Sequence, residues 1–234
     1  MLEVLKNTTY RHLFLAQVIA LIGTGLITIA LALQAYDIAK EQAAQVLGIA
    51  LAIKMIAYIS VAPIASAFAE RLPRKKVLVG LDVIRALTAL CLPFVTQIWQ
   101  IYILIFILQS ASAAFTPTFQ AMIPDVLPIE EEYTNALSLS RLAYDLENII
   151  SPMLAGLLLT VMSYHNLFLG TVVGFIGSAL FVVSAKLPNA KMPEFIGVYN
   201  RIKQGAKIYF RTPRLKALLA LNLAIASASA VVIV

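Results

Sequence analysis

The chain has 234 residues, of which 61% are hydrophobic and 13% charged, against about 45–50% and about 25% in soluble domains. A water-soluble globule is therefore excluded, since its surface would be largely apolar. The net charge of +6 does not mark a nucleic-acid binder, because Lys and Arg gather in a few short loops instead of along one solvated face. The single cysteine, Cys91, rules out an intrachain disulfide and lacks neighbouring ligands for a metal site.

A membrane-crossing helix needs about 20 mostly apolar residues. Leu13–Ala35 is uncharged and forms the first such span. No small-residue cleavage site follows a short apolar core there, so no removable signal peptide is read. Ala43–Ala69 is the second, interrupted only by Lys54. Val77–Val95 is the third and carries Asp82 and Arg85. The uncharged stretch from Ala86 to Pro124 is too long for one helix; Pro93 and Thr96-Gln97 break it, and Ile98–Ile123 is the fourth span. Tyr133–Ser163 holds the fifth, Ser163-Tyr164-His165-Asn166 makes a turn, and Leu167–Ala185 is the sixth. A polar, basic segment runs from Lys186 to Lys216, within which Phe195–Phe210 can form a basic amphipathic helix at the membrane surface. Ala217–Val234 then reads as the start of a seventh span cut short inside the bilayer, where a free carboxylate is costly. A longer parent chain is expected.

Loop charge sets orientation, because Lys and Arg accumulate in short cytoplasmic loops. With loops assigned alternately, fourteen basic residues fall on one side. They are Lys6 and Arg11 in the N-terminal tail, Arg71, Arg74, Lys75 and Lys76 between spans two and three, and eight from Lys186 to Lys216. Only Lys40 falls on the other, so the N-terminus is expected in the cytoplasm and the protein in the plasma membrane. The acidic run Glu130-Glu131-Glu132 suits the N-terminal turn of the fifth helix.

The loop between spans two and three has a pattern beyond its charge. Glu70-Arg71-Leu72-Pro73-Arg74-Lys75-Lys76 resembles the loop between helices two and three of the major facilitator superfamily, roughly Gly-x-x-x-Asp-Arg-x-Gly-Arg-Arg. Ser66 stands at the first Gly, Glu70 at the Asp, Pro73 at the second Gly, and Arg74 and Lys75 at the basic pair. Ile123-Pro124-Asp125-Val126-Leu127-Pro128 with Asn135-Ala136-Leu137 is similar to the loop between helices four and five of the macrolide- and siderophore-exporter branches. Ser151-Pro152-Met153-Leu154-Ala155-Gly156 resembles their Gly-Pro-x-x-Ala-Gly stretch in helix five, and Gly23-Thr24-Gly25 and Asp82-Val83-Ile84-Arg85 also fit. The resemblance covers the whole chain as the first half of a twelve-helix protein. It implies an all-α polytopic membrane fold. Residues 1–186 would be the N-terminal six-helix bundle, 187–216 the cytoplasmic amphipathic linker between halves, and 217–234 the truncated start of helix seven. It also implies that Ser66, Glu70, Arg71, Pro73, Arg74 and Lys75 form a gating latch against a C-terminal half that this sequence does not contain.

Ionisable groups within spans are costly unless paired or wet. Asp82 and Arg85 are three apart, share a helix face and read as an intrahelical pair supporting the basic turn. Lys54 lies roughly ten residues into span two, about 15 Å deep, too far for easy snorkelling. Arg141 and Asp145 are spaced to pair with each other, and Glu147 points elsewhere at a depth comparable to Lys54. Lys54 and either Asp145 or Glu147 are expected to border a central cavity, as a fixed ion pair or as groups that titrate during transport. Thr24, Thr28, Gln34, Gln109 and Thr116 are candidates to line that cavity, as in the family helices one and four do; helix packing is the other use of such residues. Phe115, Phe119 and Tyr36 could line it with apolar surface. His12 and His165 lie far apart in sequence and are assigned no metal, and no cofactor is expected.

The function read from these features is secondary active transport: proton-coupled export of a small amphipathic compound by rocking two halves about a midplane site. The chain lacks a Gly-x-x-x-x-Gly-Lys-Ser/Thr nucleotide loop. A six-helix permease subunit working with a separate ATPase is the alternative; short loops leave little room for a coupling segment. A channel lacks a repeated filter loop, and an enzyme lacks a nucleophile–base set. Expected partners are a small-molecule substrate, the lipid bilayer and the missing C-terminal half.

Overall fold

A computed structural model describes residues 2–68 and 73–186, with scattered positions between 207 and 220. The chain forms two compact units, Met1–Pro193 and Glu194–Val234. In the second, the described positions between 207 and 220 are helical apart from Thr212. Glu70, Arg71, most of the expected surface helix and most of the seventh apolar run lie outside the described residues.

The first unit is a bundle of helices, with no strand among the described residues. A short 3-10 turn, Leu2–Lys6, leads into α1 (Thr8–Ala39), followed by α2 (Ala43–Phe68), α3 (Arg74–Cys91), α4 (Ile98–Gln120), the one-turn α5 (Ile123–Val126), α6 (Glu130–Leu159) and α7 (Tyr164–Ser184). Apolar helical chain from Thr8 to Ser66 runs for 59 residues. As one rod it would be about 90 Å long, three times the hydrocarbon thickness. It is broken at Lys40, the one described non-glycine residue with positive φ (49°), by the 3-10 turn Lys40–Gln42. Two crossings result, and with Arg74–Phe94, Ile98–Val126, Glu130–Leu159 and Tyr164–Ser184 the total among the described residues is six.

The helices overrun the spans read from hydropathy. α1 begins at Thr8, capped by Asn7, whose side-chain oxygen accepts from the Tyr10 amide at 3.1 Å, and α3 begins at Arg74. Hydropathy marks the slab a helix crosses, whereas capping marks where the helix ends. The break expected near Pro93 is a 3-10 turn, Leu92–Phe94. Then α4 opens with a capping box in which Gln100 Oε1 accepts from the Thr96 and Gln97 amides.

Lipid tails are as apolar as leucine, so small residues and hydrogen bonds hold such helices together. α1 is the hub, packed on α7, α6 and α2; α3 packs on α7 and α4, and α4 on α2. Two glycines two positions apart lie about 160° apart on a helix, and α1 uses them for different neighbours. A Cβ on Gly23 would sit 3.3 Å from the Thr171 carbonyl oxygen of α7, and one on Gly25 2.0 Å from Ser151 Cβ of α6. At the first crossing Thr171 Oγ1 donates to the Gly23 carbonyl at 2.9 Å.

Two apolar clusters fill the bundle. One gathers Leu26, Ile27, Leu92, Ile101, Leu108, Leu167 and Phe168; the other gathers Tyr10, Leu13, Leu78, Phe119, Met122, Ile123 and Val182. On α1, α3, α4 and α7 the residues between the clusters include buried polar ones: Gln17, Asp82, Arg85, Ser112 and Ser178. The bundle is thus oil at both ends with a polar layer between.

Candidate functional site: a polar cavity in the bundle

A cavity of about 490 Å³ opens in this layer. α1 contributes Gln17, Thr24, Gly25 and Thr28; α2 contributes Lys54 and Tyr58; α3 contributes Arg85; α4 contributes Ser112, Phe115 and Thr116; α6 contributes Arg141, Tyr144, Asp145, Glu147, Asn148 and Ser151. The structure therefore brings Lys54, Arg141, Asp145, Glu147, Thr24, Thr28 and Thr116 to one cavity from four helices.

The charged groups in its walls are held differently. Asp82 and Arg85 form an ion pair with side chains 0% and 4% exposed. Ser178 Oγ of α7 donates to Asp82 Oδ2 at 2.7 Å, and the Arg85 guanidinium lies 4.2 Å and 4.6 Å from the ring centroids of Phe115 and Phe175. The pair forms as its spacing predicts, but it ties α3 to α7, and its Arg85 walls the cavity. Arg141 Nε meets Asp145 Oδ1 at 3.3 Å, with both side chains more than half exposed. Lys54 and Glu147 are half-buried and face the same cavity, yet among the described residues neither forms an ion pair within 4 Å.

Polar wall groups link helices or stay unpartnered. The Thr116 and Tyr144 hydroxyls hydrogen-bond at 3.0 Å between α4 and α6. Thr24 and Thr28 bond back to carbonyls of their own helix at 2.9 and 2.8 Å. Gln17 Oε1, Arg85 Nε and Ser151 Oγ are buried without a hydrogen-bond partner. Pro152 lacks an N–H, so the Asn148 carbonyl loses its helical partner beside the cavity.

Gln34 and Gln109 are not among the cavity walls. Gln34 Nε2 donates to the carbonyl of Leu92, which also accepts the 3-10 hydrogen bond from the Val95 amide, so it joins α1 to the end of α3. Gln109 is half-buried on α4. Phe115 lines the cavity, whereas Phe119 is buried in the apolar core and Tyr36 is 62% exposed at the end of α1. Sequence reading passed over Tyr58, Tyr144, Asn148 and Ser151 as wall residues; the one signal was Ser151-Pro152, a helix-interior proline beside a small hydroxyl.

At the basic end, side chains cover carbonyls where helices stop. Arg74 donates to the Ala121 carbonyl at 2.6 Å and pairs with Asp125. Lys75 Nζ donates to the Ala185 carbonyl at 2.9 Å, and Thr9 to that of Lys186 at 3.2 Å. Cations there oppose the negative ends of α4 and α7. Arg74 and Lys75 thus lie inside the first turn of α3, after Pro73 at its N-cap. Ser66 Oγ bonds back to the Pro63 carbonyl at 2.8 Å.

The sequence matches the family model described as Major Facilitator Superfamily over residues 13–234. The chain belongs to that superfamily, and with six apolar helices among its described residues it is a multi-pass membrane protein of a transporter family. It is 28% identical over 158 residues to "Uncharacterized MFS-type transporter YfiS" of Bacillus subtilis (strain 168), covering 65% of this chain and 38% of that protein. It is 27% identical over 177 residues to "Macrolide efflux protein A" of Streptococcus pyogenes, covering 74% of this chain and 43% of that one. A protein of the same name from Enterococcus faecalis is 28% identical over 131 residues, covering 54% and 40%. The chain spans about 40% of the length of these relatives.

Proposed function

We propose that this chain is the N-terminal half of a secondary active exporter of small amphipathic compounds, driven by protons through alternating access. The observation that carries the reading is the cavity itself: in a chain that is 61% hydrophobic, Lys54, Glu147 and the Arg141–Asp145 pair converge from α2 and α6 on one polar space. Intramembrane charge of this kind marks substrate and ion pathways. The relatives named for macrolide efflux support export of an amphipathic compound. Lys54 and Glu147, facing one cavity from two helices without an ion pair within 4 Å, suit a pair whose attraction changes as a proton or substrate enters.

One six-helix half cannot enclose a substrate, and alternating access rocks two halves about a site between them. The chain therefore works against a second half, with 187–216 as the cytoplasmic linker, 217–234 as the start of helix seven, and Ser66, Glu70, Arg71, Pro73, Arg74 and Lys75 as the latch. The N-terminus lies in the cytoplasm and the membrane is the plasma membrane.

The test is macrolide accumulation in a sensitive host expressing the chain together with its second half, with and without a protonophore. Lower accumulation that the protonophore restores is expected; accumulation unaffected by expression would remove the export reading. Orientation is tested by placing Lys76→Cys in a Cys91→Ser background. An impermeant maleimide should fail to label it in intact cells, and labelling from outside overturns the topology.

A further inference from the structure

On α6 the central cavity is not the only recess. A second one, about 230 Å³, lies between α1 and α6. Its walls are almost wholly apolar: Phe14, Val18 and Ile22 of α1 face Leu142, Leu146 and Ile150 of α6. The two recesses share three residues, Leu21, Glu147 and Ser151. Helical geometry shows why. At 100° per residue, Leu142, Leu146 and Ile150 form one stripe of α6; Tyr144 and Asn148 lie about 160° round from Leu146, and Glu147 and Ser151 fall between the stripes. The groove is open on its outer side, since Leu142, Leu146 and Ile150 are 44%, 43% and 46% exposed.

The border between oil and polar space is closely built. A Cβ on Gly25 would meet Glu147 Oε1 at 3.0 Å and Ser151 Oγ at 2.2 Å, so the carboxylate and the hydroxyl lie in the seam itself, against bare α1 backbone. Ser151 is 0% exposed and its Oγ has no hydrogen-bond partner. Glu147 forms no ion pair within 4 Å among the described residues; Lys54 faces the same cavity from α2. The Asn148 carbonyl, freed by Pro152, opens beside them. A carboxylate, a hydroxyl oxygen and a carbonyl are all acceptors. The ligand group that completes such a set is a donor, and the carboxylate sets its charge as positive.

We propose that the α1/α6 groove is a lateral binding site for the apolar tail of a protonated alkyl amine, whose ammonium is held in the seam by Glu147 and Ser151. The site lies beside the central cavity and shares Leu21, Glu147 and Ser151 with it, so an ammonium there sits at the edge of the polar space while the tail stays in the groove. Lipid tails are as apolar as the groove, so the tail gains little on moving from lipid. Selectivity rests on the head: an amine is held and an alcohol of equal length is not.

The site is tested on the chain in lipid nanodiscs. Trp99→Phe removes the native tryptophan, and Ile149→Trp places a reporter beside the groove on an exposed position. Val173→Trp, on the exposed face of α7, is the control. Bromine-tagged dodecylamine should quench the Ile149 reporter at about a tenfold lower concentration than bromine-tagged dodecanol, the ratio of one charge-assisted hydrogen bond. At the α7 reporter the two should quench alike, and Glu147→Gln should erase the difference at the first. Equal quenching by amine and alcohol beside the groove, or a preference that survives Glu147→Gln, overturns the proposal. The readout does not need transport: quenching without export leaves the groove standing and removes the exporter reading, whereas export without selective quenching does the reverse.

Discussion

The polar layer holds two acid–base arrangements built from the same residue types and held in opposite ways. On the α3/α7 side, Asp82 and Arg85 are buried, in contact, bonded to Ser178 and flanked by two phenylalanine rings. On the α2/α6 side, Lys54 and Glu147 are half-buried, on different helices and out of contact. A buried contact pair is a structural part: removing one partner leaves a bare charge in a dry place. A separated pair over a cavity can exchange partners with little rearrangement. Burial and contact, rather than charge, separate the two arrangements.

The sharpest way to break that contrast is Asp82→Ala, which strands the Arg85 guanidinium. A loss of about 3–5 kcal/mol is expected, read as a large fall in folded yield and in melting temperature in detergent. Asp82→Leu with Arg85→Met removes both charges and should recover most of the loss. A double variant as unstable as the single one would show that the pair is not the cause. Lys54→Ala should change stability far less, while altering the pH dependence of transport in the assembled protein. Unchanged transport with an unchanged pH profile would strike Lys54 from the working set.

The two seams of α1 extend the comparison. At the α7 crossing, a Cβ on Gly174 would lie 3.2 Å from the Ile19 carbonyl oxygen and 3.3 Å from Gly23 Cα, and backbone on both sides cannot give way. Gly174→Leu should cost about 1–3 kcal/mol. Gly80 has nothing within 4 Å of an added Cβ, so Gly80→Ala should be neutral or stabilise by up to about 1 kcal/mol through helix propensity. Melting temperatures of the two variants, measured side by side, check both signs.

How far these features could be read in advance depends on what each one rests on. The six spans follow from the oil content of each segment, and the Arg141–Asp145 and Asp82–Arg85 pairs follow from spacing within one helix. What spacing cannot supply is which helix stands next to which. Nothing in the sequence near Asp82 points to Ser178, 96 positions away. Tyr58 and Tyr144 look like any membrane tyrosine until α2 and α6 are placed around the same space. Gln34 differs for a related reason: its residue type suits a cavity wall, whereas its amide donates to the Leu92 carbonyl at the end of α3. Depth is the signal that separates it from Gln17, since Gln34 lies 17 residues further along α1, about 25 Å away.

Smaller effects sharpen the contrast from the other end. Thr116→Val removes one hydrogen bond between α4 and α6 and should cost about 0.6 kcal/mol, the average for such bonds between membrane helices.

Arg141→Ala should cost least. Its partner Asp145 is 3.3 Å away, but the two side chains are 78% and 55% exposed, and ion pairs in that setting contribute about 0–0.5 kcal/mol because water already solvates both charges. Thermal melting of the isolated chain should barely move. If the same variant in the assembled protein melts several degrees lower, Arg141 has gained a partner that the isolated chain lacks, and the proposed second half then sits on the exposed face of α6. The comparison between the two backgrounds therefore separates a solvated surface pair from one that waits for its other wall.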